Sequence, residues 1–292
     1  MNSVVGERSM DLRPQFVQQA IRTILVHVEA EDSARPRLRT AVALAEALQA
    51  KLVGVGAETV QPIGIADIGG MSDGRWVSDL AEQARRSIGR AEMAFHEAAG
   101  GIPAAWHGVE ASPAQTVAQL ARSADLIVAG GAPQRSRDPY RTCDPADLAL
   151  LAGRPVLVAP EAGGKLEASA IVVAWRDCRE ARRALADSLP FLKAAREVVI
   201  MGVCPAESYH NAELSTRDVV DGLRRHEVKA RPSVLVAPTD RVGIELNRKA
   251  AAIGADLIVA GAYGHSRFGE QLFGGVTRDL LRNPERFVLI SH

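Results

Sequence analysis

Residues 124–130 read Ala124-Asp125-Leu126-Ile127-Val128-Ala129-Gly130, and residues 255–261, Ala255-Asp256-Leu257-Ile258-Val259-Ala260-Gly261, repeat those seven letters without a change. In both copies a continuous apolar run stops at glycine, the pattern of a strand buried on both faces and followed by a turn. Each copy is followed by a second short apolar run, Pro155-Val156-Leu157-Val158-Ala159 and Phe287-Val288-Leu289-Ile290-Ser291. The likeness also runs backwards, to Ile24-Leu25-Val26-His27-Val28 and Ile171-Val172-Val173-Ala174-Trp175. A repeat of this length makes half the chain the unit to interpret.

The landmarks are not evenly spaced. The opening runs are offset by 147 residues and the seven-residue match by 131, so the first copy carries 16 more. Their expected place is around residues 59–80, where Pro62, Gly64, Gly69, Gly70 and Gly74 punctuate the chain as turns. The stretch from Glu161 to Ala168 reads as a short polar linker. The chain thus divides into an N-terminal arm over 1–20, a first domain over 21–162 and a second over 168–292.

Between the landmarks, short strands alternate with amphipathic helices. In the second half the strands are expected at 170–175, 198–203, 232–237, 256–260 and 287–291. The helices fall at 179–193, 216–226, 242–253 and 275–282. Ala181, Ala184, Leu185, Ser188, Leu189 and Leu192 give the first of these helices its apolar stripe. The first half repeats the order, with strands at 23–28, 51–55, 104–110, 125–129 and 155–159. Its helices are expected at 36–49, 78–99, 113–123 and 145–151. Strands separated by helices imply parallel pairing with right-handed crossovers, hence two tandem Rossmann-like three-layer α/β/α domains. In such sheets a ligand sits beyond the carboxyl ends of the strands at the switch point, so the loops after the first and fourth strands matter most. The runs at 155–159 and 287–291 read as sheet edges; pairing them would shield both and join the halves as an internal dimer.

Composition narrows the function classes. The chain has 292 residues, enough for two domains with real cores. Lys plus Arg balances Asp plus Glu at 35 each, so no basic field points to nucleic acid or an anionic membrane. Cys143, Cys178 and Cys204 lack Cys-x-x-Cys spacing, which disfavours disulfides and a cysteine-rich zinc site. There is no run long and apolar enough for a bilayer, and Arg8, Asp11 and Arg13 interrupt any signal core. The cytoplasm is the expected location.

The chemical signal lies after the fourth strand of the second half. Gly261 and Gly264 are followed, after nine intervening residues, by Gly274-Gly275-Val276-Thr277. Glycines let backbone N–H groups approach an anion, and a helix opening at Gly275 would offer its N-terminus to phosphate, with Thr277 as a hydroxyl donor. The plainer alternative is that Gly261 and Gly264 shape a loop and Thr277 helps to cap the helix.

At this point the sequence resembles the universal stress proteins in their tandem two-domain form. The resemblance rests on the twice-used Ala-Asp-Leu-Ile-Val-Ala-Gly strand, the Gly-x-x-Gly-(nine)-Gly spacing and Gly264-His265-Ser266-Arg267 leading to Gly274-Gly275-Val276-Thr277-Arg278. Ile171-Val172-Val173-Ala174-Trp175 with the helix from Arg179-Glu180-Ala181 also looks like the family's start. It covers nearly the whole chain from residue 22, more strongly in the second half. It implies a five-stranded parallel sheet per domain, of the adenine nucleotide alpha hydrolase-like type, and an internal pseudo-dimer of the two halves. It further implies a stress-responsive cytoplasmic protein in a family some of whose members bind ATP or AMP. The candidate nucleotide-binding set is then Gly261, Gly264, Gly274, Gly275, Val276, Thr277, Trp175, Arg176 and Val203.

The sequence departs from the family pattern in both halves. ATP-binding members usually carry aspartate just after the first strand; here Arg176 stands there, with Asp177 next, and Gly275 replaces Ser or Thr after the third motif glycine. An arginine in that place holds phosphate or fills the pocket. In the first half Glu29 occupies the aspartate position, and Asp144 and Asp147 near the 145–151 helix would repel phosphate. The first domain is expected not to bind nucleotide.

Catalytic patterns are weak. Gly264-His265-Ser266-Arg267-Phe268 breaks the nucleophile-elbow spacing at Phe268, and Gly163-Gly164-Lys165 is no phosphate-binding loop. Gly54-Val55-Gly56 lacks the third glycine of a dinucleotide site, and the seven histidines are scattered without His-x-x-x-His spacing. A hydrolase would need a carboxylate for metal, for which Asp177 and Glu270 are the candidates. Two readings remain: a non-catalytic stress protein holding ATP or AMP in its second domain, or a scaffold with the same fold that takes no nucleotide. Neither determines whether two chains associate as a homodimer.

Overall fold

The computed structural model describes residues 20–60, 74–131, 138, 140–262, 275–282 and 284–292. The first half runs β1 (Thr23–His27), α1 (Arg35–Leu48), β2 (Lys51–Ala57), α2 (Gly74–Ala99), β3 (Ala104–Val109), α3 (Pro113–Leu120), β4 (Leu126–Ala129), α4 (Pro145–Ala152) and β5 (Val156–Val158). The second runs β6 (Ala170–Ala174), α5 (Arg179–Ala194), β7 (Glu197–Cys204), α6 (Tyr209–Arg224), β8 (Ala230–Val236), α7 (Val242–Ala252), β9 (Leu257–Gly261), α8 (Gly275–Arg282) and β10 (Phe287–Ser291).

All ten strands form one sheet in the order β3-β2-β1-β4-β5-β10-β9-β6-β7-β8. Pairing is parallel within each half and antiparallel at the seam, where Val156, Leu157 and Val158 face Ile290, Leu289 and Val288. The two runs read as edges therefore cover one another, leaving no free edge in the middle of the molecule. In each half the first strand lies between the second and the fourth, so the switch points fall at β1/β4 and β6/β9.

Helices cover both faces. Leu38, Leu44 and Leu48 of α1, Phe95 of α2, Phe191 and Leu192 of α5, and Val220 and Leu223 of α6 pack on one. Val117 of α3, Leu148 of α4, Leu246 of α7, and Leu280 and Leu281 of α8 pack on the other. Because strands β4 and β9 are buried on both sides, neither can alternate with polar residues, which explains their unbroken apolar runs. Fully burying each such aliphatic side chain contributes about 1.5–3 kcal/mol.

The repeated aspartate does the same work twice. Asp125 Oδ2 accepts hydrogen bonds from the N–H groups of Arg22 and Thr23, both at 2.9 Å. Asp256 Oδ2 accepts from Glu167 at 2.8 Å and Ala168 at 3.1 Å. Each carboxylate thereby ties the entry of the first strand of its half to the start of the fourth.

Local sequence oddities have packing reasons. A Cβ on Gly54 would lie 2.6 Å from the Phe95 ring and one on Gly56 2.5 Å from Trp106, so the Gly-x-Gly of β2 makes room for these aromatics. The linker is not loose. Thr40 Oγ1 donates to the Gly164 carbonyl at 2.9 Å, and Gly163 sits so close to Pro36 that a Cβ would meet its carbonyl oxygen at 2.7 Å.

Most boundaries fall within three residues of expectation, and two helix starts differ by more. Helix α6 begins at Tyr209 rather than 216, because its first two turns, with exposed His210 and Asn211, carry little apolar periodicity. Part of the extra length of the first half is helical: α2 has 26 residues where α6 has 16. The glycine-rich part of that insertion, residues 61–73, lies outside the described residues.

Candidate functional site

The two halves present equivalent rims, at the carboxyl ends of β1 and β4 and of β6 and β9. Their chemistry is opposite.

In the first half the rim is filled by buried ions. His27 ends β1, Glu29 follows two residues later, and Arg37 reaches in from the first turn of α1. Arg37 Nη2 lies 3.1 Å from Glu29 Oε2 and donates to the His27 carbonyl at 3.0 Å. Glu29 Oε1 lies 3.3 Å from His27 Nδ1, and His27 Nε2 lies 3.4 Å from the Ala57 carbonyl. Beside them Glu58 pairs with Arg141 Nε at 2.6 Å. Burial alone would raise the Glu29 carboxyl, but Arg37 and then His27 outweigh it and bring it down to about 2. Burial would likewise lower the His27 imidazole, but Cys143 and then Glu29 outweigh it and lift it to about 10. The Glu29 carboxylate facing Nδ1, though without an aligned hydrogen bond there, and the Ala57 carbonyl at Nε2 favour the imidazolium.

The helix that could offer an anion site on this rim is also closed. Asp144 caps α4 by accepting from the Ala146 N–H at 2.8 Å, and Pro145 has no N–H to give. Burial and then Asp144 raise the Asp147 carboxyl, as expected for acids crowded at one helix start.

In the second half, Arg176 and Asp177 follow β6 and are both exposed. Asp177 is engaged by Arg182 Nη2 at 2.5 Å, so this metal-ligand candidate already has a cation. Among the described residues no carboxylate pairs with Arg176. Arg179 Nη2 lies 3.0 Å from His292 Nε2, placing a second guanidinium beside the end of β10. Gly261 closes β9 against the start of α5: a Cβ there would sit 2.6 Å from the Ala181 nitrogen and the Glu180 carbonyl carbon. Thr277 is buried, and its Oγ1 donates to the Gly261 carbonyl at 3.4 Å, drawing the first turn of α8 onto the end of β9. Gly275 opens that helix.

The expected site residues are thus only partly brought together. Gly261, Gly275 and Thr277 converge, and Val276 packs beside them in the same face's core as Val203. Trp175 packs on the opposite face with Ala181 and Val198, where its buried indole N–H has no acceptor among the described residues. Gly264 and Gly274, together with His265, Ser266 and Glu270, lie outside the described residues. Sequence reasoning missed the His27–Glu29–Arg37–Cys143 cluster. Its available signal was the two-residue spacing of His27 and Glu29 at a strand end, which sets both on one side. Among the described residues no group of three His, Cys, Asp or Glu side chains is placed to hold a metal, and no helix is long and apolar enough to cross a membrane.

The fold is that of solved universal stress protein structures. The chain aligns over 94% of its length with 97% of a universal stress protein from Archaeoglobus fulgidus DSM 4304, at TM-score 0.65 and 14% identity. A protein of unknown function from Pseudomonas aeruginosa PAO1 aligns over 94% of this chain and 93% of its own, at TM-score 0.56 and 19% identity. No protein-family model matches the sequence, nor does any curated protein sequence.

Proposed function

We propose that this chain is a tandem universal stress protein, acting in the cytoplasm, that binds one adenine nucleotide, ATP or AMP, at the rim of its second half. In this reading residues 21–162 form a domain without a nucleotide site and residues 168–292 the domain that carries it. The protein holds the nucleotide and performs no chemistry on it.

The observation that carries the reading is the contrast between two helix starts. Helix α4 opens on Asp144, Pro145 and Asp147, with its capping N–H already taken. Helix α8 opens on Gly275 and is held against Gly261 by Thr277, so its N-terminal dipole faces the β6/β9 switch point. At the first rim Glu29 and Glu58 are already paired with Arg37 and Arg141, and at the second Arg179 is paired with Glu180, whereas Arg176 is exposed with no carboxylate partner among the described residues. Arg176 is the group on this rim best suited to a phosphate. In this role Arg176 replaces an acidic group and contacts phosphate, while Gly264 and Gly274, which lie outside the described residues, are the loop glycines expected to let backbone N–H groups approach it.

Calorimetric titration of the full chain with ATP and AMP tests this. Arg176→Glu is expected to weaken binding at least tenfold, and magnesium should bring no steady release of phosphate. Unchanged affinity in Arg176→Glu, or sustained phosphate release, would overturn the reading.

A further inference from the structure

We propose that the cavity between the two halves, at the amino ends of β4 and β5, binds a free α-amino acid with an apolar side chain. The cavity lies at the opposite end of the strands from the nucleotide rim, and its lining residues take no part in the proposed nucleotide site.

The cavity holds about 150 Å³ and is walled by the first half and by α5 of the second. Its floor is apolar: Leu126 and Phe191 are buried, and Pro190 adds its ring. A cavity of this size takes a molecule as large as benzene, hence a branched aliphatic side chain. Four charged groups surround the floor, Asp125 and Arg154 from the first half and Arg183 and Asp187 from the second. Arg183 Nε and Asp187 Oδ2 satisfy each other at 2.9 Å. Asp125 and Arg154 have no such counterpart. Asp125 receives both of its backbone N–H bonds on Oδ2, which leaves Oδ1 without a partner among the described residues. Half-buried Arg154 reaches the Arg122 carbonyl at 3.4 Å and pairs with no carboxylate among the described residues.

The other half supplies the contrast. Arg286 precedes β10 as Arg154 precedes β5, and it is engaged: Nη1 donates to Asn247 Oδ1 at 2.7 Å, and Nη2 lies 3.6 Å from Glu285 Oε2. Arg286 thus ties elements of the fold together, whereas Arg154 stands open over a cavity. Its planar fork matches a carboxylate through two parallel hydrogen bonds. An amino acid brings that carboxylate and, on the adjoining carbon, an ammonium for which Asp125 is the acceptor. Two guanidinium and two carboxylate groups cancel on these walls, so a neutral zwitterion leaves no charge unmatched. A phosphate or a simple fatty acid would leave Asp125 facing apolar or anionic atoms instead.

Calorimetric titration of the full chain with L-leucine, no nucleotide being present, tests the proposal. Leucinamide and isocaproate serve as probes that lack the carboxylate and the ammonium respectively. Leucine is expected to saturate at one per chain, with each analogue at least tenfold weaker. Arg154→Gln should weaken leucine at least tenfold and leave the thermal melt unchanged, because Arg154 makes one long hydrogen bond in the free chain. No saturable heat with leucine, an affinity that either analogue matches, or a folded Arg154→Gln chain that binds leucine as tightly would overturn the proposal. The analogue comparison needs only the wild-type chain, and no outcome depends on whether ATP binds.

Discussion

The Glu29 carboxylate lies 3.1 Å from the Arg37 guanidinium, and the two side chains are 8% and 9% exposed. Removing one partner strands a buried charge, which costs about 3–5 kcal/mol. Arg37→Met should therefore lose stability of that order in urea unfolding. The double change Glu29→Gln with Arg37→Met should recover part of it, because no unpaired carboxylate is then left inside.

The same cluster sets the pH limits of the first half. The folded Glu29 carboxyl sits at about 2 against 4.5 when unperturbed, so its contribution is complete above 4.5 and fades as pH falls toward 2. The His27 imidazole sits at about 10 against 6.5, so its contribution is complete below 6.5 and is lost as pH rises through 10. Denaturant unfolding across pH should show both limbs, and Glu29→Gln should flatten the acid one.

Asp125→Ala and Asp256→Ala should destabilise by similar amounts, about 1.5–3 kcal/mol each, the scale of lost hydrogen bonds to a charged group. Each removes a carboxylate that accepts two backbone N–H groups at equivalent places. Urea midpoints of the two variants check this, and a marked inequality would argue against a shared role.

The duplication and the alternation of strands and helices within each half were legible in the sequence, whereas the pairing of 155–159 with 287–291 was one of two options there and the order of strands in the sheet was not read. Strands buried on both faces and helices striped on one leave direct marks on residue order. The repeated Asp125 and Asp256 were visible as letters but not as ties, since their partners lie 103 and 89 residues away. The ionic filling of the first rim was half legible: Glu29 stood out as a replacement, but Arg37 and Cys143 come from other elements and join it only on folding. Trp175 was placed in the candidate set by its position at the end of the expected strand, and its side chain turns to the face away from Val203 because successive strand residues alternate.

Gly261→Ala should destabilise the second half by about 1–3 kcal/mol, because its methyl group would press on the α5 backbone. Gly222, inside α6 with open space around it, is the control. Gly222→Ala should stabilise by about 0.5–1 kcal/mol through helix propensity. Thermal melts of the two variants should shift in opposite directions.

Native mass spectrometry of the full chain over an ATP titration tests the central claim most directly. The account predicts saturation at one nucleotide per chain and loss of most of that adduct in Thr277→Val, with Arg37→Met unaffected where folded. Two adducts of comparable affinity, no adduct, or one that ignores Thr277 and vanishes with Arg37 would contradict it.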